Sequence, residues 1–371
     1  MNTKQQQVSI MSSSTAFCIL CMGLASLAHA SGPMEEVGIP TIDLANQRHR
    51  QVVVDREQGQ YLGHPTTVLL EDNKTMITVY PKGHGRGAIV MKRSDDAGLT
   101  WSDRLPTPAN WSTSKEVPTI HRVVDSEGNK RLIMWSGLYP ARLAISDDDG
   151  KNWSELKKAG DWGGIVVMGF VEPLKSPGHY LAMFHDDGRF FTSEDNRKTP
   201  TVFTLYKTNS TDGGLTWSNP EAIWKSSEIY LCEPGCIRSP DGKQLAVLLR
   251  ENVRAKNSHI IFSNDEGMTW SEPREVPLAL TGDRHTGKYS PDGRLFISFR
   301  CISPKHSASS RPFEGDWAAW VGTYEDLANG TEGQYSVRLA DNRKGYDTSY
   351  PGVEVLSDGS FVATTYGHWT H

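Results

Sequence analysis

The sequence predicts an all-β fold, a six-bladed β-propeller. Three observations predict it: one turn pattern that recurs four times, six apolar hairpins interleaved with those turns, and no long segment of helical periodicity. The pattern S-x-D-x-G-x-[TN]-W begins at Ser94, Ser146, Ser210 and Ser263 and ends at Trp101, Trp153, Trp217 and Trp270. Four copies at near-blade spacing mark a repeat architecture.

Each copy carries the chemistry of a tight turn. The carboxylates of Asp96, Asp148, Asp212 and Asp265 can accept backbone N–H groups across it. The glycines Gly98, Gly150, Gly214 and Gly267 supply a positive φ that other residues resist. These aspartates are therefore read as turn residues and not as a metal or substrate site.

The interleaved hairpins pair two apolar runs across a turn often written Asp-Gly. They cover 66–79, 125–135, 166–184, 236–249, 291–299 and 357–365, with turns such as Asp241-Gly242, Asp292-Gly293 and Asp358-Gly359. Blades are expected near 61–101, 116–153, 163–217, 230–270, 283–325 and 346–371. The last is short for four strands, so residues 39–60, with the strand-like run 51–54, are expected to supply an outer strand and close the ring. A further C-terminal strand is expected to follow the abrupt end at 369–371.

The first thirty residues read as an export signal. Lys4 is the only charge in a polar start, the run 16–25 is apolar, and Ala28-His29-Ala30 forms a small-residue cleavage pattern. The expected organisation is a signal peptide at 1–30 and a propeller at 31–371, secreted or periplasmic. No later run approaches the roughly 20 apolar residues of a membrane helix, so no membrane association is expected after cleavage. The formal net charge of −5 offers no basic field for nucleic acid. Beyond the signal only Cys232, Cys236 and Cys301 remain, which make no disulfide framework.

Propeller geometry says where chemistry must lie. The start of each inner strand and the end of its antiparallel partner share one face, so residues at those points converge on one funnel. Before the inner strands stand His64, Glu116, Glu233, Arg284, His285 and Tyr350. After the second strands stand His84, Arg86, Tyr139, His185, Asp187, Arg250, Arg300 and His368. Charged and imidazole groups gathered in a cleft shift one another's pKa, which is how acid–base sites are built. The histidines show no ligand spacing, His185-Asp186-Asp187 reads as a surface acidic loop, and Gly83, Gly85 and Gly87 lead into a strand, not a helix. No metal and no cofactor are expected.

At these residues the chain resembles the sialidase superfamily, in which the repeated turn is the Asp box. Glu233-Pro234 followed by Asp241-Gly242 and Arg250-Glu251-Asn252 is similar to the family segment that carries a catalytic Glu and a carboxylate-binding Arg. Tyr350-Pro351, eight residues before Asp358-Gly359, is similar to the segment with the nucleophilic Tyr. The resemblance implies Tyr350 as nucleophile, Glu233 as its base and Arg250 as a carboxylate clamp, with Arg300 or Arg284 as a further arm. A phenol with a pKa of about 10 needs such a base. Tyrosine also avoids the repulsion a carboxylate nucleophile would meet at a carbon bearing a carboxylate. Arginine's planar fork suits the clamp.

The first blade departs from that pattern. Leu62-Gly63-His64-Pro65 stands where the family places an Arg two residues before the Pro, and Lys82-Gly83-His84-Gly85-Arg86 stands where its acid/base Asp is expected. His84 is the candidate acid/base and Arg86 a candidate anion ligand. His64, Glu116, His185, Asp187 and His285 are further candidate substrate ligands.

The leading expectation is an exo-acting glycoside hydrolase on an anionic sugar, sialic acid or a uronate-like relative. A propeller polysaccharide lyase using His and Tyr on uronate glycans is a second class. A non-catalytic carbohydrate-binding propeller is a third. The partner in all three is a glycan.

Overall fold

A computed structural model describes residues 5–11, 37–305 and 311–369. The backbone is almost entirely β, arranged as antiparallel sheets in sequence order. A hairpin shows why. Leu231–Arg238 and Leu245–Glu251 pair through the turn at Pro240-Asp241-Gly242, where Gly242 takes φ 72°. The Asp241 carboxylate accepts the Lys243 N–H at 3.1 Å and the Ser239 hydroxyl at 2.7 Å. The second strand is buried along almost its whole length because it is covered on both faces by neighbouring sheets.

The apolar clusters lie between adjacent sheets. Ile237, Leu248 and Ile260 pack on Leu295, Ile297 and Trp320 of the following sheet. Val79, Met91 and Trp111 pack on Leu132 and Met134. Val54 and Val362 meet Met76, which joins the last sheet to the first. The fold is thus a β-propeller whose first strands surround a central channel of about 490 Å³.

The expected six blades are corrected to five. Five sheets reach the four or five strands of a complete blade, whereas Thr66–Leu69, Met76–Pro81 and Ile89–Ser94 form a sheet of only three. The reason is local. After its repeated turn the chain makes two backbone bonds to this sheet, Ser102 to Arg93 and Leu105 to Met91. Pro106 and Pro108 then end any ladder, since proline lacks the donor. The short 3-10 helix Ala109–Thr113 follows and drops Trp111 into the core beside the next sheet.

The last sheet draws on distant segments. Its order is Gly352–Val355, Phe361–Gly367, Gln5–Met11, Gln51–Arg56, so residues 51–56 do supply the outer strand. Thr41–Asp43 instead adds in parallel to Tyr335–Ala340 of the preceding sheet. Of the expected leader, only Gln5–Met11 is described; the apolar run 16–25 and the 28–30 pattern lie outside the described residues, as does the end at 370–371. No helix among the described residues is long and apolar enough to cross a membrane.

The four repeated turns share one hydrogen-bond plan. In the first, the Ser94 hydroxyl accepts Gly98 N–H at 2.8 Å and donates to Asp96 at 2.8 Å. Asp96 accepts Thr100 N–H at 2.8 Å, and the Trp101 indole donates to Gly98 O at 3.1 Å. The turns at Asp148, Asp212 and Asp265 repeat these contacts. The carboxylates are spent on the turn, as the sequence reading expected.

Candidate active site

The strands deliver their polar ends to one face. Just before the Pro that follows it, Glu233 takes φ 52°, and His64 takes φ 55° at the same place in the first sheet. Arg284 takes φ 57°. Left-handed backbone at residues other than glycine costs of order 1–2 kcal/mol and persists only where surroundings enforce it. In two sheets the cause is a bulge. Register slips between Cys232 and Gly235, and between Asp283 and Thr286, so two residues face one across the ladder. Such bulges re-aim side chains, and here Glu233 turns into the cleft.

A cavity of about 220 Å³ opens there, lined by His64, His84, Glu116, His185, Asp187, Arg189, Glu233, Arg250 and Tyr350 among others. At its floor Tyr350 donates its phenol to Glu233 Oε1 at 2.5 Å. Arg250 Nη1 donates to the same Glu233 oxygen at 2.6 Å and to the Tyr350 oxygen at 2.8 Å. Tyr350 and Glu233 are buried, at 8% and 3% exposure. Burial and the Glu233 charge push the phenol well above its ordinary pKa, opposed by Arg250 and Arg300. It is therefore a phenol whose proton already points at its acceptor.

Other groups hold this floor in place. His185 Nδ1 accepts the Glu233 backbone N–H at 3.3 Å, which fixes the strained residue. Burial, then Arg250 and Arg284, lower the His185 pKa to about 3, so its ring is neutral and able to accept. The guanidinium of Arg300 lies over the Tyr350 ring at 4.7 Å. His64 meets that ring edge-on, with centroids 5.0 Å apart.

One wall is built by the loop 82–88 of the first sheet. Gly85 is required there: it takes φ 73°, and a Cβ on it would lie 2.1 Å from the Glu116 carboxylate. Glu116 accepts Val117 N–H at 3.0 Å. Desolvation lifts its pKa to about 7, against the opposing influence of that hydrogen bond and of His84 and Arg86. Beside it His84 Nδ1 lies 2.8 Å from Asp347 Oδ2. Asp347 also accepts Tyr61 at 2.9 Å and Tyr366 at 2.6 Å, and Tyr366 reaches His64 Nε2 at 3.1 Å. The ligand atoms of His64, His84 and Asp347 lie within 4.8 Å of one another, the one grouping among the described residues with metal-ligand spacing.

The structure thus brings Tyr350, Glu233, Arg250, His64, His84, Glu116, His185 and Asp187 together around one cavity. It does not bring Arg284 or His285 there. Both are buried along the central channel, where Arg284 donates to Met168 O at 3.4 Å and His285 Nε2 lies 2.8 Å from Leu280 O. Arg300 sits behind Tyr350, outside the cavity lining, with Nε on Thr348 O at 2.7 Å. Arg86 is exposed on the loop. Asp187 pairs with Arg189 at 2.7 Å, while Asp186 accepts Gly188 and Phe190 N–H, so this acidic run is a loop closure.

Sequence reasoning missed Asp283, Asp347, Tyr61 and Tyr366. Asp283 is buried among three guanidiniums: Arg254 at 2.8 Å, Arg300 at 3.2 Å and Arg250 at 3.2 Å. The Arg250 Nε contact is close enough for an ion pair but is not aligned as a hydrogen bond. The available signal was a polar residue one to three positions before a candidate: Asp283 before Arg284, Asp347 before Tyr350, Tyr61 before His64 and Tyr366 before His368. Cys232 and Cys236 are free thiols.

A family model described as a BNR repeat-like domain matches residues 129–360, more than half of the chain. No curated protein matches by sequence. Among solved structures the chain is similar to a protein of unknown function from Dyadobacter fermentans, at 16% identity and TM-score 0.60, covering 85% of this chain and 97% of that one. It is similar to an α-L-arabinofuranosidase of Fusarium graminearum in complex with arabinobiose, at 10% identity and TM-score 0.57, covering 84% and 95%. It is also similar to an intramolecular trans-sialidase of Ruminococcus gnavus in complex with oseltamivir carboxylate, at 13% identity and TM-score 0.56, covering 83% and 90%. At these identities the likeness speaks to the fold.

Proposed function

The chain belongs to the BNR repeat-like domain family, and on that premise we propose that it is an exo-acting glycoside hydrolase of the sialidase superfamily. The observation that carries this reading is the 2.5 Å contact of Tyr350 with Glu233 at the floor of a sugar-sized cleft. The phenol oxygen attacks the anomeric carbon while Glu233 takes its proton, and Arg250 steadies the negative charge shared between the two oxygens. The glycosidic bond breaks, and the leaving oxygen needs a proton. Glu116 supplies it: with a pKa of about 7 it still carries a proton near neutral pH. It then takes a proton from the water that displaces Tyr350, while Glu233 returns its proton to the departing phenol oxygen, which restores the enzyme. His84, the acid/base expected from sequence, is held at Nδ1 by Asp347 and is read as shaping the Glu116 wall.

The proposed substrate is a glycan terminus, a reading supported by structural neighbours in complex with arabinobiose and with oseltamivir carboxylate. The expected anionic-sugar specificity depended on Arg250 joined by Arg300 or Arg284, and of these only Arg250 lines the cleft. Export with cleavage after Ala30 completes the proposal. Cleavage there would remove Gln5–Met11 from the last sheet, so the N-terminal residue of secreted protein tests it.

The deciding experiment is turnover of aryl glycosides and glycan termini by wild type, Tyr350→Phe and Glu233→Gln, with products identified by mass spectrometry. Unsaturated products absorbing in the ultraviolet would point to the lyase class instead. Sugar binding without turnover, unchanged in Tyr350→Phe, would point to a binding propeller.

A further inference from the structure

The guanidiniums that line the cleft are matched by the protein's own carboxylates, whereas Arg284, whose Nη1 has no hydrogen-bond partner, lines the central channel and not the cleft. Arg250 and Arg189 are the guanidiniums that line the cleft, against the carboxyl groups of Glu116, Asp187 and Glu233. Arg189 is held by Asp187 at 2.7 Å. Arg250 gives Nη1 to Glu233 and Tyr350, and its Nε lies 3.2 Å from Asp283. Arg300, behind the nucleophile, has Nε on Thr348 O, Nη1 on Asp283 and Nη2 on Tyr366, with Asp347 at 3.8 Å.

Asp283 is the hub of this arrangement. It is 1% exposed and meets guanidiniums from Arg250, Arg254 and Arg300. Burial opposes its charge, but Arg250, Arg300 and Arg254 outweigh that and hold its carboxyl below the ordinary range. The anion that draws these arginines together therefore belongs to the chain. A substrate carboxylate brought to Tyr350 would find no unmatched guanidinium in the lining and would face Glu233 and Asp283 at short range. Burying a charge without a partner is strongly unfavourable.

We infer that the substrate is a neutral glycoside, with no carboxylate on its reacting carbon, because Asp283 occupies the arginine pocket that such a carboxylate would need. This rests on the reading of the cleft as a glycosidase site. Stabilisation of the positive charge that develops at the anomeric carbon then comes from the surplus of carboxyl groups in the lining.

The test uses purified full-length protein. Para-nitrophenyl α-L-arabinofuranoside and β-D-galactopyranoside serve as neutral probes; methylumbelliferyl N-acetylneuraminide and para-nitrophenyl β-D-glucuronide carry the carboxylate. Turnover of a neutral probe with kcat/KM at least about 100-fold above both charged probes is expected. Equal or better turnover of a charged probe overturns the inference. Turnover of none of the four sinks the glycosidase reading, and direct binding then decides the charge preference separately. L-Arabinose and D-galactose are compared with N-acetylneuraminic and D-glucuronic acid by ligand-observed NMR. Neutral sugars binding as well as or better than the acids support the inference. Acids binding about tenfold tighter, or neither class binding, overturn it. Asp283→Asn, which frees the arginines, should raise affinity for N-acetylneuraminic acid at least about tenfold, and salt should weaken that gain. No gain in a folded variant counts against it. If the variant does not fold, the wild-type comparison stands alone.

Discussion

Tyr350 Oη and Glu233 Oε1 lie 2.5 Å apart although 117 residues separate them in sequence. The contact joins the ends of strands from two different sheets, and Arg250 donates to both oxygens.

Removing the phenol oxygen should stop chemistry and spare the fold. Tyr350→Phe keeps the ring against Arg300 and His64 and loses the bond to Glu233 and the one accepted from Arg250. Turnover should fall by about 10³-fold or more, while stability changes by about 1–3 kcal/mol, the cost of leaving a buried carboxylate oxygen short of a donor. Substrate kinetics beside a urea melt check this; near-wild-type kcat would remove Tyr350 from the mechanism.

Glu116 sets the alkaline limb of the pH profile. Activity should decline as pH rises through about 7, where the carboxyl loses its proton. The sign for stability follows from the same shift. The folded pKa is raised, so the folded state disfavours the charged form; stability is greatest below the unfolded value of 4.5 and falls by about 3 kcal/mol by pH 7. Glu116→Gln should remove both the limb and the slope, whereas His84→Ala should leave the limb in place. If His84→Ala abolishes it instead, the acid is the imidazole.

His185 and His285 make the fold acid-sensitive. Burial lowers their pKa values to about 3 and about 4, so both are neutral when folded. The unfolded chain takes up these protons near pH 6.5, and stability is lost as pH falls from there toward the folded values. At pH 5 the loss should be about 2 kcal/mol for each group. Urea midpoints at pH 7.5 and 5 measure it, and a flat profile would mean these rings are solvated.

A Cβ at Gly85 should disturb Glu116 without touching Tyr350. Gly85→Ala meets both a φ of 73° and a carboxylate 2.1 Å away. The expected result is a shifted alkaline limb with binding of neutral sugars largely kept, read from the pH profile of kcat/KM.

The repeated turns are structural. Asp148→Ala removes acceptors for Asn152 and Ser146 and should cost about 1–2 kcal/mol with kcat unchanged. Altered kcat would mean the turn reports to the cleft.

The fold was legible because its signals are local. Asp241-Gly242 and the four Ser-x-Asp turns specify hairpins whatever surrounds them. The missing outer strand of the first sheet was less legible: Pro106 and Pro108 forbid a ladder there, but the regular spacing of the turns suggested one. Within the site, position relative to the inner strand was enough to find Tyr350, Glu233 and Arg250. The neighbours Asp283 and Arg284 show where such counting ends. A slip of one residue exchanges the faces of a strand, and the bulge after Asp283 sends that carboxylate toward Arg250 and Arg300 while Arg284 turns to the channel. Asp347 and Tyr366 acquire their importance only from contacts made across sheets.

The joint at Val54, Met76 and Val362 is small beside the other intersheet clusters among the described residues. A closed ring under thermal agitation parts first at its thinnest seam. Gly352–Val355 and Phe361–Gly367 border that seam. Gentle warming or dilute denaturant should therefore spring the circle open beside the nucleophile, and turnover should vanish while most of the propeller's tryptophans still report a native environment.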